Sequence, residues 1–231
     1  LDGDCEMRAG WLPTAQAFLE ANPDVAVVCG RRRERYPESS IYNRLTDDEW
    51  NTPVGRAKAC GGDALLRVAP LRAVGGYTAT LIAGEEPELC VRLRSAGWQV
   101  WRLEAEMTWH DAAVTRFGQW WKRTKRAGHA FAEGASLHGR PPERHWVTET
   151  RRALVWGAVL PLAILVLVAL TGGWGLLLAL IYPVQVLRLS SAKSLPWAVF
   201  TTLGKVAEAQ GALHFYLGRL RGQGAEIIEY K

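Results

Sequence analysis

Residues 153–187 contain no Asp, Glu, Lys or Arg, a run of 35 residues dominated by Leu, Val, Ala, Ile and Trp. The stretch LVWGAVLPLAILVLVAL offers no polar face, which argues against a helix lying against water and leaves a buried soluble hairpin as the weaker alternative. One membrane span takes about 20 apolar residues, so the run is too long for one helix and just enough for two. Thr171-Gly172-Gly173 divides it near the middle, which predicts a tight hairpin of two short membrane helices over residues 151–190. The run lies too far from Leu1 to be a signal peptide. Arg144, Arg151 and Arg152 precede it and Arg188 and Lys193 follow it, so both ends are expected on the cytoplasmic side of the membrane.

Closely spaced cysteines are missing too. Cys5, Cys29, Cys60 and Cys90 are far apart, with no C-x-x-C spacing, so neither a disulfide framework nor a zinc site is indicated. An excess of one charge is likewise slight. The net charge is +5, and the basic residues cluster at 116–126 and 140–152, beside the apolar run. Arg31, Arg32 and Arg33 invite a nucleic-acid reading, but so small an excess, shared with membrane flanks, gives it little support, and nucleic acid is not expected as a partner.

What is present reads as alternating helix and strand. WLPTAQAFLEA has an apolar stripe at Trp11, Ala15, Phe18 and Leu19 and predicts a helix; DVAVVCG predicts a short buried strand, followed by a basic irregular stretch with helix only around 41–50. EEPELCVRLRSAG predicts a helix stopped by Gly97, and WQVWRL a strand. This is an α/β pattern with only three or four strands in view. LDGD reads as the end of a strand with none before it, so the chain is expected to be the C-terminal part of a longer protein.

Asp2 and Asp4, one residue apart at a strand end, would put two carboxylates on one face, a pair of hard ligands suited to Mg²⁺ or Mn²⁺. A solvated acidic turn has the same sequence. Glu85 and Glu86 open a helix ahead of Pro87, where the dipole keeps carboxylates ionised, and a plain acidic helix start would look alike. The ordered set LDGDCE, ACGGDALLRVAPLRAVGGY, GEEPELCVRLRSAGW and TWHD is more specific than any of its pieces.

That set, over roughly residues 1–130, resembles the family 2 glycosyltransferases, whose catalytic domain has the GT-A fold. The resemblance implies that Asp2 and Asp4 bind a donor diphosphate through a divalent metal (Mg²⁺ or Mn²⁺), with His110 as a third metal or phosphate contact or else a strand-end histidine held by backbone. It implies Glu86 as the catalytic base in place of the family's Asp, and Asp63 and Glu85 on the acceptor side. Trp120 is a further acceptor-side residue or a membrane-surface anchor; RFGQWWKRTKR lacks the Q-x-x-R-W of processive members. The fold class expected is α/β, a GT-A-like (incomplete Rossmann-like) domain over 1–115, basic interfacial helices and a linker over 116–150, the transmembrane hairpin, and an amphipathic or membrane-associated helix and tail over 191–231.

The function expected is an inverting, membrane-anchored glycosyltransferase at the inner (plasma) membrane, its catalytic domain cytoplasmic. It would move a sugar from a nucleotide-sugar donor to a lipid-linked or saccharide acceptor in glycan or exopolysaccharide synthesis. The alternative is a catalytically inactive relative serving as a membrane binding module.

Overall fold

A computed structural model describes residues 1–222 and divides the chain into two compact units, Leu1–Phe117 and a second beginning at Gly118. The first unit is mixed α/β. Its strands are β1 (Cys5–Met7), β2 (Val25–Glu34), β3 (Gly55–Ala57), β4 (Leu65–Leu66) and β5 (Gln99–His110). Its helices are α1 (Trp11–Ala21), α2 (Ile41–Trp50), α3 (Val68–Ala73) and α4 (Glu85–Ser95). The sheet order is β1-β5-β2-β4, with β3 also on β5; among the described residues only β2 and β5 run parallel.

The core forms where local pattern predicts it. Trp11, Ala15 and Leu19 of α1 and Val25 to Val28 of β2 are buried, with Leu89, Cys90 and Leu93 of α4 and Val100 of β5 in the same cluster. Ser40 caps α2, its Oγ accepting from Asn43 N at 2.9 Å.

Two local expectations are corrected. The arginine run is not an irregular stretch: β2 continues through Arg31–Arg33 to Glu34, because β5 supplies a parallel partner as far as His110. Each of the three arginines then meets a carboxylate: Asp47, Asp63 and Glu106 in turn. Asp2 and Asp4 do not end a strand. They lie in a turn leading into β1, closed by Cys5 N donating to Asp2 O at 3.1 Å.

The second unit is helical: α5 (Phe117–His138), α6 (Val147–Leu154), a π-helical turn (Val155–Val159), α7 (Leu160–Leu170), a 3-10 stretch (Trp174–Leu180), α8 (Ile181–Ser190) and α9 (Leu195–Leu220). The basic segment forms one long helix, α5. From α6 to α7 the helix is continuous over Val147–Leu170, 24 residues long and apolar enough to cross a membrane. The second limb of the expected hairpin, Trp174–Ser190, is shorter than a full span by residue count, and 3-10 winding occupies its first part. Tyr182 Oη still reaches back to Trp156 O at 2.7 Å.

Helix α9 buries a stripe of small residues, including Ala198, Gly204, Ala207 and Gly211. A side chain at Gly211 would collide with the Lys125 carbonyl, and one at Gly128 with the Glu208 backbone, so α5 and α9 touch backbone to backbone. The tail expected over 223–231 lies outside the described residues.

Candidate functional site

The register of β1 on β5 sets Cys5 opposite His110 and Met7 opposite Thr108, which brings the Asp2–Asp4 turn to the carboxyl end of β5. Ligands in α/β sheets characteristically bind outside such strand ends. One donor atom each from Asp2, Asp4, Cys5 and His110 lie within 4.8 Å of one another. His110 Nε2 is 3.2 Å from Asp4 Oδ1, and the ring of Trp50 meets His110 edge-on at 4.7 Å. Carboxylate and imidazole donors at this density fit a divalent cation, and the thiol of Cys5 adds a softer donor. Burial, followed by a hydrogen bond to Asp63, raises the Cys5 thiol far above its ordinary range.

Asp63 is the keystone beneath this turn. It is 1% exposed and accepts from Asp2 N at 2.9 Å, from Thr108 Oγ1 at 2.7 Å and from Arg32 Nε at 3.0 Å. Burial pushes its carboxyl up, but Arg32 and these hydrogen bonds outweigh burial and the net shift is downward. Asp63 is therefore a positioning residue of the D-x-D turn, and its oxygens are already committed within the fold rather than facing an acceptor. Arg32 also places Nη2 3.1 Å from Asp2 Oδ2, and its guanidinium lies over the Trp50 ring at 5.3 Å. A Cβ at Gly62, next to Asp63, would meet the Asp2 carboxylate, which would have to shift to make room.

Helix α4 brings in the second acidic group. Glu86 is half-buried in its first turn; burial raises its carboxyl, with Glu85 and Asp2 adding to the rise while a backbone hydrogen bond and Arg32 oppose it. Glu86 and Asp2 therefore lie within electrostatic reach of each other. Tyr77 shares the neighbourhood, pushed up to about 12 by burial and then by Glu86. Glu88, by contrast, is structural. It receives Arg92 through both oxygens at 2.7–3.0 Å and Thr78 Oγ1 at 3.0 Å.

Asp2, Asp4, Asp63 and His110 thus come together, with Glu86 coupled to Asp2 by charge and Glu85 acting on Glu86 alone. Trp120 belongs to the helical unit, where it is 7% exposed, meets Phe200 at 5.0 Å and lies beside Gly204. That burial makes it a packing residue of the helical unit instead of the expected surface anchor. Sequence reasoning missed Arg32, Thr108, Trp50 and Cys5. The one signal in the sequence is the set of acidic residues at 2, 47, 63 and 106, enough to pair an arginine run. No protein-family model matches the chain, and no curated protein matches it.

Proposed function

We propose that the chain is the catalytic and membrane part of an inverting family 2 glycosyltransferase with a GT-A-like domain. It would transfer a sugar from a nucleotide-sugar donor to a lipid-linked or saccharide acceptor. The observation that carries the reading is a convergence. Asp2 of D-x-D receives support from Gly62 and Asp63 of the GGD segment and lies within electrostatic reach of Glu86 of the acidic helix, although 61 residues separate Asp2 from Asp63.

Asp2, Asp4 and His110 would hold Mg²⁺ or Mn²⁺, which when bound supplies positive charge for a leaving diphosphate. Asp63, Arg32 and Thr108 hold the turn that presents those ligands. Glu86 would take the proton from the acceptor hydroxyl. Its burial-raised carboxyl makes it a better base than an exposed glutamate, and Glu85 beside it reinforces that rise.

Val147–Leu170 would anchor the protein in the inner membrane, the N-terminal unit on the cytoplasmic side. The hairpin is part of the same proposal. A 3-10 stretch rises about 2.0 Å per residue, so Trp174–Ser190 reaches about 29 Å, close to the hydrocarbon thickness. A second reading, an inactive membrane binding module, draws on one observation: Arg32 already neutralises Asp2.

The deciding experiment is a donor screen with the protein in its native sequence context in membranes, scored by release of nucleoside diphosphate with Mg²⁺ or Mn²⁺. Release from one donor class, lost in Glu86→Gln, is expected. Metal-dependent donor binding without release by the wild type would favour the inactive module.

A further inference from the structure

Within the helical unit, α5, α6 and α9 enclose an open cleft of about 520 Å³. Ala135, Val147, Leu154 and Val155 give it an apolar floor, and Arg151, Thr150 and Tyr216 give it polar walls. At the same place the guanidinium of Arg219 donates to Ser136 Oγ, and Ser136 is itself a lining residue. The volume lies in the range of small-molecule sites, about 300–1,000 Å³.

The position of the cleft along the chain gives it meaning. Arg151 and Arg152 are the last charges before the uncharged run, and Leu154 and Val155 carry the cleft's apolar floor into that run. Along Val147–Leu170 the apolar surface stays open, with Val159, Leu162, Leu165 and Leu170 all exposed. The charged residue lining the cleft is Arg151, Arg219 bonds to its lining residue Ser136, and the neighbouring sequence at 139–152 and 216–222 carries six arginines against two glutamates. An apolar floor facing the span and cations at the interfacial end match a ligand with an anionic head and a hydrocarbon tail.

We propose that this cleft binds an anionic phospholipid of the surrounding bilayer, its phosphate on Arg151 and Arg219 and its upper acyl chain along Leu154 and Val155. The site rests on the reading of Val147–Leu170 as a membrane span and is separate from the donor chemistry. Basic pockets at the cytoplasmic ends of membrane helices recognise anionic head groups in this manner, each cation contributing by its nearness to the surface. A soluble phosphate would use the arginines but leave the apolar floor unfilled. A zwitterionic lipid would fill the floor without supplying net charge.

The test uses the full chain reconstituted in phosphatidylcholine vesicles containing a minority of phosphatidylglycerol, then captured in mild detergent, with retained lipid quantified by mass spectrometry. Phosphatidylglycerol should be retained in preference to phosphatidylcholine. That preference should fall about 5-fold in Arg151→Gln, the size of one juxtamembrane cation, and survive in Arg151→Lys. Ala135→Trp, which fills the floor, should abolish retention while leaving every arginine in place. Soluble glycerol phosphate should not compete; equal competition would mean a free-phosphate site and overturn the proposal. Retention unchanged in both Arg151→Gln and Ala135→Trp would overturn it as well. Alkaline extraction reports separately on the anchor. A chain that stays in the membrane but retains no phosphatidylglycerol sinks the lipid site alone, whereas a chain stripped from the membrane sinks the span and this site together.

Discussion

Arg32 stands between Asp2 and Asp63, its Nη2 3.1 Å from one carboxylate and its Nε 3.0 Å from the other. Removing the guanidinium leaves Asp63 as an unpaired charge in the interior. Arg32→Gln should therefore destabilise the N-terminal unit by about 3–5 kcal/mol at neutral pH, measured by urea unfolding. The sign of the pH dependence follows from the lowered carboxyl of Asp63. Its contribution is present above the ordinary Asp range and is lost as pH falls through the lowered value. In Arg32→Gln the stability gap to wild type should narrow on acidification, since a protonated Asp63 needs no counter-charge. A gap independent of pH would contradict this account of the pair.

Glu86 should show opposite effects on stability and turnover. Burial raises its carboxyl, so Glu86 costs nothing below the ordinary glutamate range, and the cost grows as pH rises from there and is complete above the raised value. Glu86→Gln should raise the melting temperature at pH 7–8, a gain that disappears as pH falls. Turnover should drop about 10²–10⁴-fold, the usual range for a lost general base. Glu86→Asp should keep substantial activity and Glu85→Gln should lose less. The acid limb of the wild-type rate profile should lie above the ordinary glutamate range. Glu88→Gln is the control: it loosens Arg92 and Thr78 and lowers stability, with turnover per folded molecule little changed. If Glu88→Gln instead removed turnover and Glu86→Gln did not, the base would be misassigned.

Gly62 tests the metal ligands without removing one. A methyl group in Gly62→Ala would displace the Asp2 carboxylate. Apparent Mn²⁺ affinity should fall roughly 10- to 100-fold, as it does when a supporting contact to a ligand is lost. Asp2→Ala and Asp4→Ala should abolish metal-dependent turnover with the circular dichroism spectrum retained. Full activity in an Asp2→Ala, Asp4→Ala double variant would end the assignment.

Trp120→Ala should act through the packing of the helical unit. Deleting a buried indole typically costs about 3–5 kcal/mol, so the detergent-solubilised protein should unfold at lower temperature. The donor KM should stay as in wild type. A raised acceptor KM at unchanged stability would assign Trp120 the acceptor-side role.

The hairpin is tested by labelling. Trp174 is 75% exposed at the turn, and Leu137 is 53% exposed near the end of α5. In intact cells an impermeant maleimide should reach Trp174→Cys and not Leu137→Cys. The reverse pattern would invert the topology.

The elements whose signals are local are legible in the chain alone. The apolar stripe of α1, the short helix at Ile41–Trp50, the acidic start of α4 and the uncharged run each repeat within a few residues, at a spacing one helix or strand can express. The tertiary structure alone decided what those elements do to one another. Strand β2 runs through its arginines only because β5 offers a parallel edge, and that pairing turns Arg32 toward Asp2 and Asp63. Asp63 became a positioning residue because three donors, Asp2 N, Thr108 Oγ1 and Arg32 Nε, reach it from 31 to 61 residues away. Hydrogen bonds and ion pairs act over about 3 Å of space, and separation along the chain does not enter their energy. Periodicity therefore carries the elements, while the partners of a buried charge appear only once strand register has brought them together.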